Sequence, residues 1–340
     1  MAGVSIGTVD RVIHNRGKVS PQAREKVMQI LKQFNYKPNL LARSLSRSKK
    51  IKVAILTPES GHDEYWKKTS EGLSHEMEKW GHHRVIFSVF QFDLVNHQHF
   101  ANQLGTAIQQ QPDGIVLAPI HYQESHDLLA DLASKMPLAL FNSNMADLKP
   151  LTFIGQDLFK SGRVAANLVH KNSAKPGEIL IIHTDEDLAD SPHLKEKEDG
   201  FRNYFNEIDG SYFVVKSLVI SDKENDYDSV LNHAITPSTV GLFITTSNGT
   251  SLVSQAVEKL GRSDLIIVGY DLLENNVRFL KNGVTSYLIN QNPHLLGSTA
   301  LSYLLENLLN NKTVPNQELF PIDIVTRENV DSYLKFQSSK

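Results

Sequence analysis

The chain has 340 residues, 40% of them hydrophobic and 21% charged, the composition of a globular protein and not of a disordered one. It is long enough for two or three compact units, and it contains no cysteine, which excludes disulfides and thiolate metal sites and fits a reducing cytoplasm. A formal charge of −3 hides an asymmetry: residues 1–50 hold eleven Lys/Arg against Asp10 and Glu25, a formal +9, which leaves −12 on the remainder. Such a basic head suits attachment to phosphates, because each neutralised phosphate releases condensed counterions. No window approaches eighteen consecutive apolar residues and no basic-then-apolar leader is present, so neither a membrane partner nor export is expected.

In the head, Ser5 precedes a helical run from Ile6 to His14 and can cap it. Val4, Val9, Val12 and Ile13 recur at helical spacing on one side, leaving Ile6, Gly7, Thr8, Asp10, Arg11 and His14 outward. Asn15-Arg16-Gly17 reads as a turn. Ser20-Pro21 opens a second helix, with serine as cap and proline where its missing N–H is harmless. Val27, Ile30, Leu31 and Phe34 form its buried stripe, Tyr36 and Pro38 end it, and a short helix over Asn39–Ser46 follows.

The stretches Ala2-Gly3-Val4-Ser5, Thr8-Val9, Arg11-Val12, Val19-Ser20, Arg24-Glu25-Lys26-Val27 and Asn35-Tyr36-x-Pro38-Asn39 resemble the DNA-binding head of the lactose-repressor (LacI/GalR) family. The resemblance implies that Ser5–Asn15 is the recognition helix of a helix-turn-helix. It also implies that Asn39–Ser46 is a hinge helix that orders on the operator, with Leu45 as a minor-groove wedge. The residues it points to for DNA contact are Ser5, Ile6, Gly7, Thr8, Arg11, His14, Asn15, Asn39, Ala42 and Leu45. Two departures stand out. The family's head has an earlier helix, so Met1 is expected to be an internal methionine of a product one helix longer, and the helix-turn-helix is incomplete as written. Asp10 stands where a small hydroxyl residue is usual; it either pairs with Arg11 or Arg16, the favoured reading, or accepts from a cytosine amino group.

From Ile51 apolar runs alternate with amphipathic helices. Strands are expected at 51–56, 85–90, 114–118, 138–141 and 152–154, with helices near 65–80, 96–110, 124–135 and 157–171. Lys171–Glu178 reads as a crossover linker. The pattern repeats with strands at 179–183, 213–217, 242–245, 265–270 and 285–289, and helices near 194–207, 226–235, 249–260 and 273–282. A long helix over 294–310, a last strand over 321–325 and a polar tail complete the chain. Strands separated by helices imply parallel sheets. The fold class is therefore α/β after a small all-α head: residues 1–38 the head, 39–50 hinge helix and linker, 51–340 an effector-binding and dimerisation domain. Lobe 1 is expected at about 51–172 and 292–320, and lobe 2 at about 176–290 and 322–334.

Ligands of open parallel sheets lie beyond the carboxyl ends of the strands. Here those positions (57–63, 118–122, 142–144, 184–191, 246–248, 271, 290–291) are rich in Asn, Asp, Ser, Thr and Gln, which suits hydroxyl recognition. The marks Tyr65-Trp66 with Gly72, Asp113-Gly114, Ile154-Gly155-Gln156-Asp157, Asp199-Gly200-Phe201, Val268-Gly269-Tyr270-Asp271 and Gln291 resemble the periplasmic sugar-binding (type I) fold that the LacI/GalR family uses as its sensor. That resemblance implies effector contacts from Asp63, Tyr65, Trp66, Asn142, Gln156, Lys197, Thr246, Asp271 and Gln291. Asn142, Lys197 and Thr246 replace a usual carboxylate, arginine and asparagine. Plainer readings stand beside these: core packing for Trp66, a helix cap for Asp271, loop backbone partners for Asn142 and Gln291, and a solvated surface position for Lys197.

No Gly-x-Gly-x-x-Gly follows a strand and no Gly-Lys-Ser/Thr occurs, so nucleotide cofactors lack their phosphate cradle; no cofactor, metal site or enzymatic activity is expected. The function expected is a cytoplasmic transcriptional repressor. It would bind a double-stranded DNA operator as a homodimer and respond to a small sugar or polyol effector. A solute-binding receptor without DNA function is the alternative. No leucine heptads follow Val325, so no tetramer-forming tail is expected.

Overall fold

The computed structural model describes residues 4–13, 19–33, 50–61, 63–81, 85–94, 96–119, 122–184, 191–208, 212–220 and 227–338. The chain divides into two compact units, Met1–Lys50 and Ile51–Lys340. In the first, helices α1 (Ile6–Ile13) and α2 (Pro21–Gln33) pack on each other. Ser5 caps α1 as expected, its Oγ accepting from Thr8 N at 3.2 Å. Ser20 Oγ accepts from Ala23 N at 3.4 Å at the start of α2, and Val12 and Val27 are buried between the helices' apolar sides. Ser5, Gly7 and Arg11 are exposed and Thr8 is half-buried. Only the backbone of Ile6 and Asp10 is described, and His14, Asn15, Asn39, Ala42 and Leu45 lie outside the described residues.

The second unit holds two six-stranded sheets of like design. Lobe 1 contains β1 (Ile51–Pro58), β2 (Val85–Phe92), β3 (Gly114–Leu117), β4 (Leu138–Phe141), β5 (Thr152–Gly155) and β11 (Gln317–Leu319), in the order β11-β5-β4-β3-β1-β2, all parallel. Lobe 2 contains β6 (Glu178–Thr184), β7 (Val214–Ile220), β8 (Thr239–Ile244), β9 (Ile266–Tyr270), β10 (Tyr287–Asn290) and β12 (Asp323–Val325), in the order β12-β10-β9-β8-β6-β7. Only β12 among these runs antiparallel to its neighbour. The central strands are buried along their whole length, as parallel strands covered on both faces must be. In lobe 2 the period of two is visible in the core. Ile181, Phe243 and Tyr270 pack on one face with Phe201, whereas Ile182, Leu242 and Ile244 pack on the other with Val253 and Val257.

The helix α6 (Leu158–Asn172) corrects the expected lobe boundary. Its Ala165, Ala166 and Val169 belong to the lobe 2 core, so the chain crosses at 156–157 and not at 171–178. Helix α11 (Pro293–Asn310) returns to lobe 1 through Leu296, Ala300, Leu301 and Leu304. The third crossing joins β11 to β12. The polar tail also differs from expectation: Val330–Ser338 is a helix, α12, because Val330, Tyr333 and Leu334 share one face and seal a cluster of Leu272, Val277, Leu280, Leu288 and Val325.

Candidate functional site: the cleft between the lobes

A cleft of about 470 Å³ opens between the carboxyl ends of the two sheets. On the lobe 1 side, helix α3 (Glu64–Trp80) begins with Asp63, whose Oδ1 accepts from Trp66 N at 3.1 Å. This cap orients the first turn, and with it Tyr65 and Trp66. The two rings meet edge to face at 5.1 Å, and Trp66 also packs edge-on against Phe141 at 6.5 Å. Tyr65 Oη donates to Asn142 Oδ1 at 2.8 Å. Asn142 is the first residue after β4 and has a left-handed φ of 69°, a conformation asparagine tolerates better than most residues.

The lobe 2 side is more polar and more deeply packed. Helix α7 (Pro192–Glu207) lies close against α6; a Cβ at Gly162 would collide with the Lys197 carbonyl, and one at Gly200 with that of Phe159. This approach delivers Lys197 to the cleft wall, only 3% exposed, its Nζ donating to Thr245 O at 2.8 Å and lying 3.8 Å from the centre of the Tyr270 ring. Lys197 is thus no solvated surface residue. Behind it, His183 is fully buried between Thr245 Oγ1 (2.9 Å) and Glu198 Oε2 (2.8 Å). Burial pushes the Glu198 carboxyl upward, but hydrogen bonds from His183, Ser217 and Arg202 outweigh it and hold the group at about 2.

Asp271 follows β9 with φ 59° and is 0% exposed. Its Oδ1 accepts from Gln291 N at 2.7 Å, and its Oδ2 accepts from Ser247 Oγ at 2.6 Å and Gln291 Nε2 at 2.7 Å. Burial raises its affinity for a proton, opposed by those hydrogen bonds and by the Lys197 charge. With its acceptors engaged, Asp271 stands behind the cleft wall and orients Ser247 and Gln291, which do line it. It does not cap the following helix α10 (Glu274–Lys281), which starts without a side-chain cap at Leu273.

Of the expected contacts, Asp63, Tyr65, Trp66, Asn142, Lys197, Thr246 and Gln291 line the cleft. Thr246 spends its hydroxyl on Thr184 Oγ1 at 2.6 Å. Gln156, expected as an effector contact, is instead buried at the crossings: its Nε2 donates to Asn290 O at 3.2 Å and Pro321 O at 2.8 Å. One amide therefore ties the first crossing to the second and third, because each crossing passes through the narrow waist between the sheets.

Bonds among the described residues already bridge the lobes. Asn248 Nδ2 donates to Asp63 Oδ2 at 2.7 Å, and the first N–H of α10, from Glu274, meets the Glu64 carboxylate at 2.9 and 3.0 Å. A carboxylate at a helix start is favourably placed toward the helix dipole. Leu273 adds an apolar bridge, packing into the cluster that contains Tyr65 and Trp66. Missed in the sequence were Leu273, Asn275 and Asn276, which also line the cleft. The signal was present: the strand-end rule, followed a few residues beyond Asp271 into the first turn of α10, reaches all three.

Residues 53–313 match the periplasmic binding protein domain family, and residues 1–39 match the bacterial regulatory proteins, lacI family. The chain belongs to the LacI family of bacterial regulatory proteins. It is similar along 97% of its length to the sucrose operon repressor of Streptococcus mutans serotype c, at 26% identity over 97% of that protein. The transcriptional repressor PurR of Pasteurella multocida is also 26% identical, over 98% of this chain and 97% of PurR. A solved putative LacI transcriptional regulator from Bacteroides fragilis superimposes with a TM-score of 0.77 at 27% identity, covering 84% of this chain and all of that one. The glucose-galactose binding protein GanP of Geobacillus stearothermophilus, 17% identical, shares the fold (TM-score 0.71, over 83% of this chain and 99% of GanP). This LacI-family chain is thus a transcriptional repressor with an effector-binding domain, and its family is one of DNA-binding regulators and not of enzymes. Among the described residues no helix is long and apolar enough to cross a membrane.

Proposed function

We propose that this repressor releases or engages a near-palindromic operator according to whether a small sugar or polyol occupies the interlobe cleft, and that it works as a cytoplasmic homodimer. The observation that carries this is the cleft itself: about 470 Å³, within the range of small-molecule sites, with aromatic rings on one wall and dense hydrogen-bonding groups on the other. Relatives named for the sucrose and ribose operons, and a neighbour of this fold solved with D-arabinose, support a sugar. Asp63, Tyr65, Trp66, Asn142, Lys197, Thr246 and Gln291 would contact it, with Asp271 and Gln156 holding the wall and the crossings. An effector shifts the closed population only as far as it prefers that state.

On the head, the exposed Ser5, Gly7 and Arg11 support a groove-facing side of α1, opposite the buried Val12. To these we add Thr8 and, from sequence position, Ile6, His14, Asn15, Asn39, Ala42 and Leu45. Two-fold pairing follows from the limited reach of one recognition helix. Exposed Ile86 and Val89 on β2, with Val214 and Val219 on β7, support an apolar contact edge on each lobe.

The test is fluorescence anisotropy of the full chain on duplexes selected from a randomised library, with and without a panel of sugars. Operator affinity is expected to fall at least about tenfold between 50 and 200 mM salt, and to change on addition of a sugar. Salt-insensitive binding would leave a solute-binding receptor as the better description.

A further inference from the structure

Among the described residues that line the cleft, one carries a buried side-chain polar atom without a hydrogen-bond partner. Asn276, on the first turn of α10, is 0% exposed, lines the cleft, and its Oδ1 has no hydrogen-bond partner among the described residues. The orientation of the amide is dictated by its other end. Nδ2 faces three carbonyls, Ser247 O and Tyr270 O at 2.8 Å and Asp271 O at 3.3 Å; an oxygen there would meet three acceptors and no donor. The atom left without a partner is therefore an acceptor, and a buried acceptor without a donor is costly unless a ligand supplies one.

The charges around the cleft narrow what that ligand is. Among the described residues two carboxylates, Asp63 and Glu64, line it against one ammonium, Lys197, and one imidazole, His193, and the buried Asp271 carboxyl feels the Lys197 charge. Both lobe 1 acids are held in place by partners in lobe 2, so neither swings away readily. A phosphate needs net positive charge and donors; here it would meet an excess of acids and an acceptor with no proton to give. A hydroxyl can donate to Asn276 Oδ1 and still accept from a neighbouring donor such as Lys197 or Gln291.

We propose that Asn276 is a specificity-determining residue whose Oδ1 takes a hydroxyl hydrogen of an uncharged sugar, so that the cleft prefers free sugars to their phosphate esters. This rests on the effector site proposed above and deepens it.

The full chain is titrated calorimetrically with matched pairs: D-ribose and D-ribose 5-phosphate, D-glucose and D-glucose 6-phosphate, D-fructose and D-fructose 6-phosphate. A free sugar is expected to bind at least about tenfold tighter than its ester. Among its monodeoxy derivatives, one position is expected to lose about tenfold or more. In Asn276→Ala that particular loss is expected to vanish, because the acceptor is gone. Should the variant fail to fold, the ester and deoxy series on the unaltered chain still decide the matter. Preference for an ester, or a deoxy series with no sensitive position, overturns the proposal. Tyr65→Ala separates the two levels: if it abolishes binding while esters are preferred, the cleft is the effector site and only the role of Asn276 fails. Binding untouched by Tyr65→Ala, or no binding by any sugar or ester, overturns the site reading and this inference with it.

Discussion

Asn142 and Asp271 occupy the same place in the two lobes. Each is the first residue after the strand two from the antiparallel or terminal edge of its sheet, β4 in one and β9 in the other. Each has a left-handed φ, 69° and 59°, and each donates its N–H to the next strand, Asn142 to Ile154 O at 3.0 Å and Asp271 to Ile289 O at 2.9 Å. The backbone solution was thus used twice. The side chains are used oppositely: Asn142 is half-buried and accepts from one tyrosine, whereas Asp271 is sealed in and accepts three hydrogen bonds. The lobe 1 wall offers surface to a ligand; the lobe 2 wall is a pre-set polar framework with its keystone one layer down.

Asp271→Ala should have the largest effect. It strands the donors of Ser247 and Gln291 in a buried site, so a loss of about 3–5 kcal/mol is expected in urea denaturation, together with loss of effector binding. Asn142→Ala removes one half-buried acceptor and should lose only about 1 kcal/mol. Equal losses at the two positions would break the comparison.

Glu198→Gln probes the framework behind Lys197. Its folded-state value of about 2 lies below the ordinary 4.5, so its stabilisation is present above pH 4.5 and is lost as pH falls toward 2. The variant should be less stable at pH 7 by about 3 kcal/mol, and the gap to the unaltered chain should close through that acid window. A gap constant from pH 7 to 3 in chemical denaturation would show that the charge of Glu198 contributes nothing.

The smallest effect is expected from Tyr65→Phe, which keeps the ring and removes the bond to Asn142 Oδ1. Stability should drop by about 1 kcal/mol or less, while effector affinity measured by calorimetry should weaken a few-fold because Asn142 loses its anchor. An affinity loss as large as that of Asp271→Ala would mean that the lobe 1 wall is as pre-set as the lobe 2 wall.

Much of this was legible in the chain. Apolar runs such as Ile179–Ile182 and Leu242–Ile244 announced buried parallel strands, and the Asn, Asp and Thr residues at their ends announced a polar cleft. The errors share a cause. Helix α6 is amphipathic whichever lobe it covers, so its periodicity carried no information on which sheet it would join. Val330, Tyr333 and Leu334 were too sparse to register against a polar background, yet burial of that one face suffices to hold α12. Gln156 and Asp271 were recognised as special, but a polar residue that touches a ligand and one that braces its neighbours look alike in one dimension.

From the sequence alone came the class of fold, the basic head set apart from an acidic body, and the family, because these depend on local periodicity, on summed charge and on motifs read residue by residue. Tertiary structure alone decided which polar groups are spent and which are left over. Hydrogen-bond capacity is consumed by neighbours in space, often more than a hundred residues away, as between Gln156 and Asn290 or Asp63 and Asn248. Only after those partners are in place does the unsatisfied Asn276 Oδ1 remain.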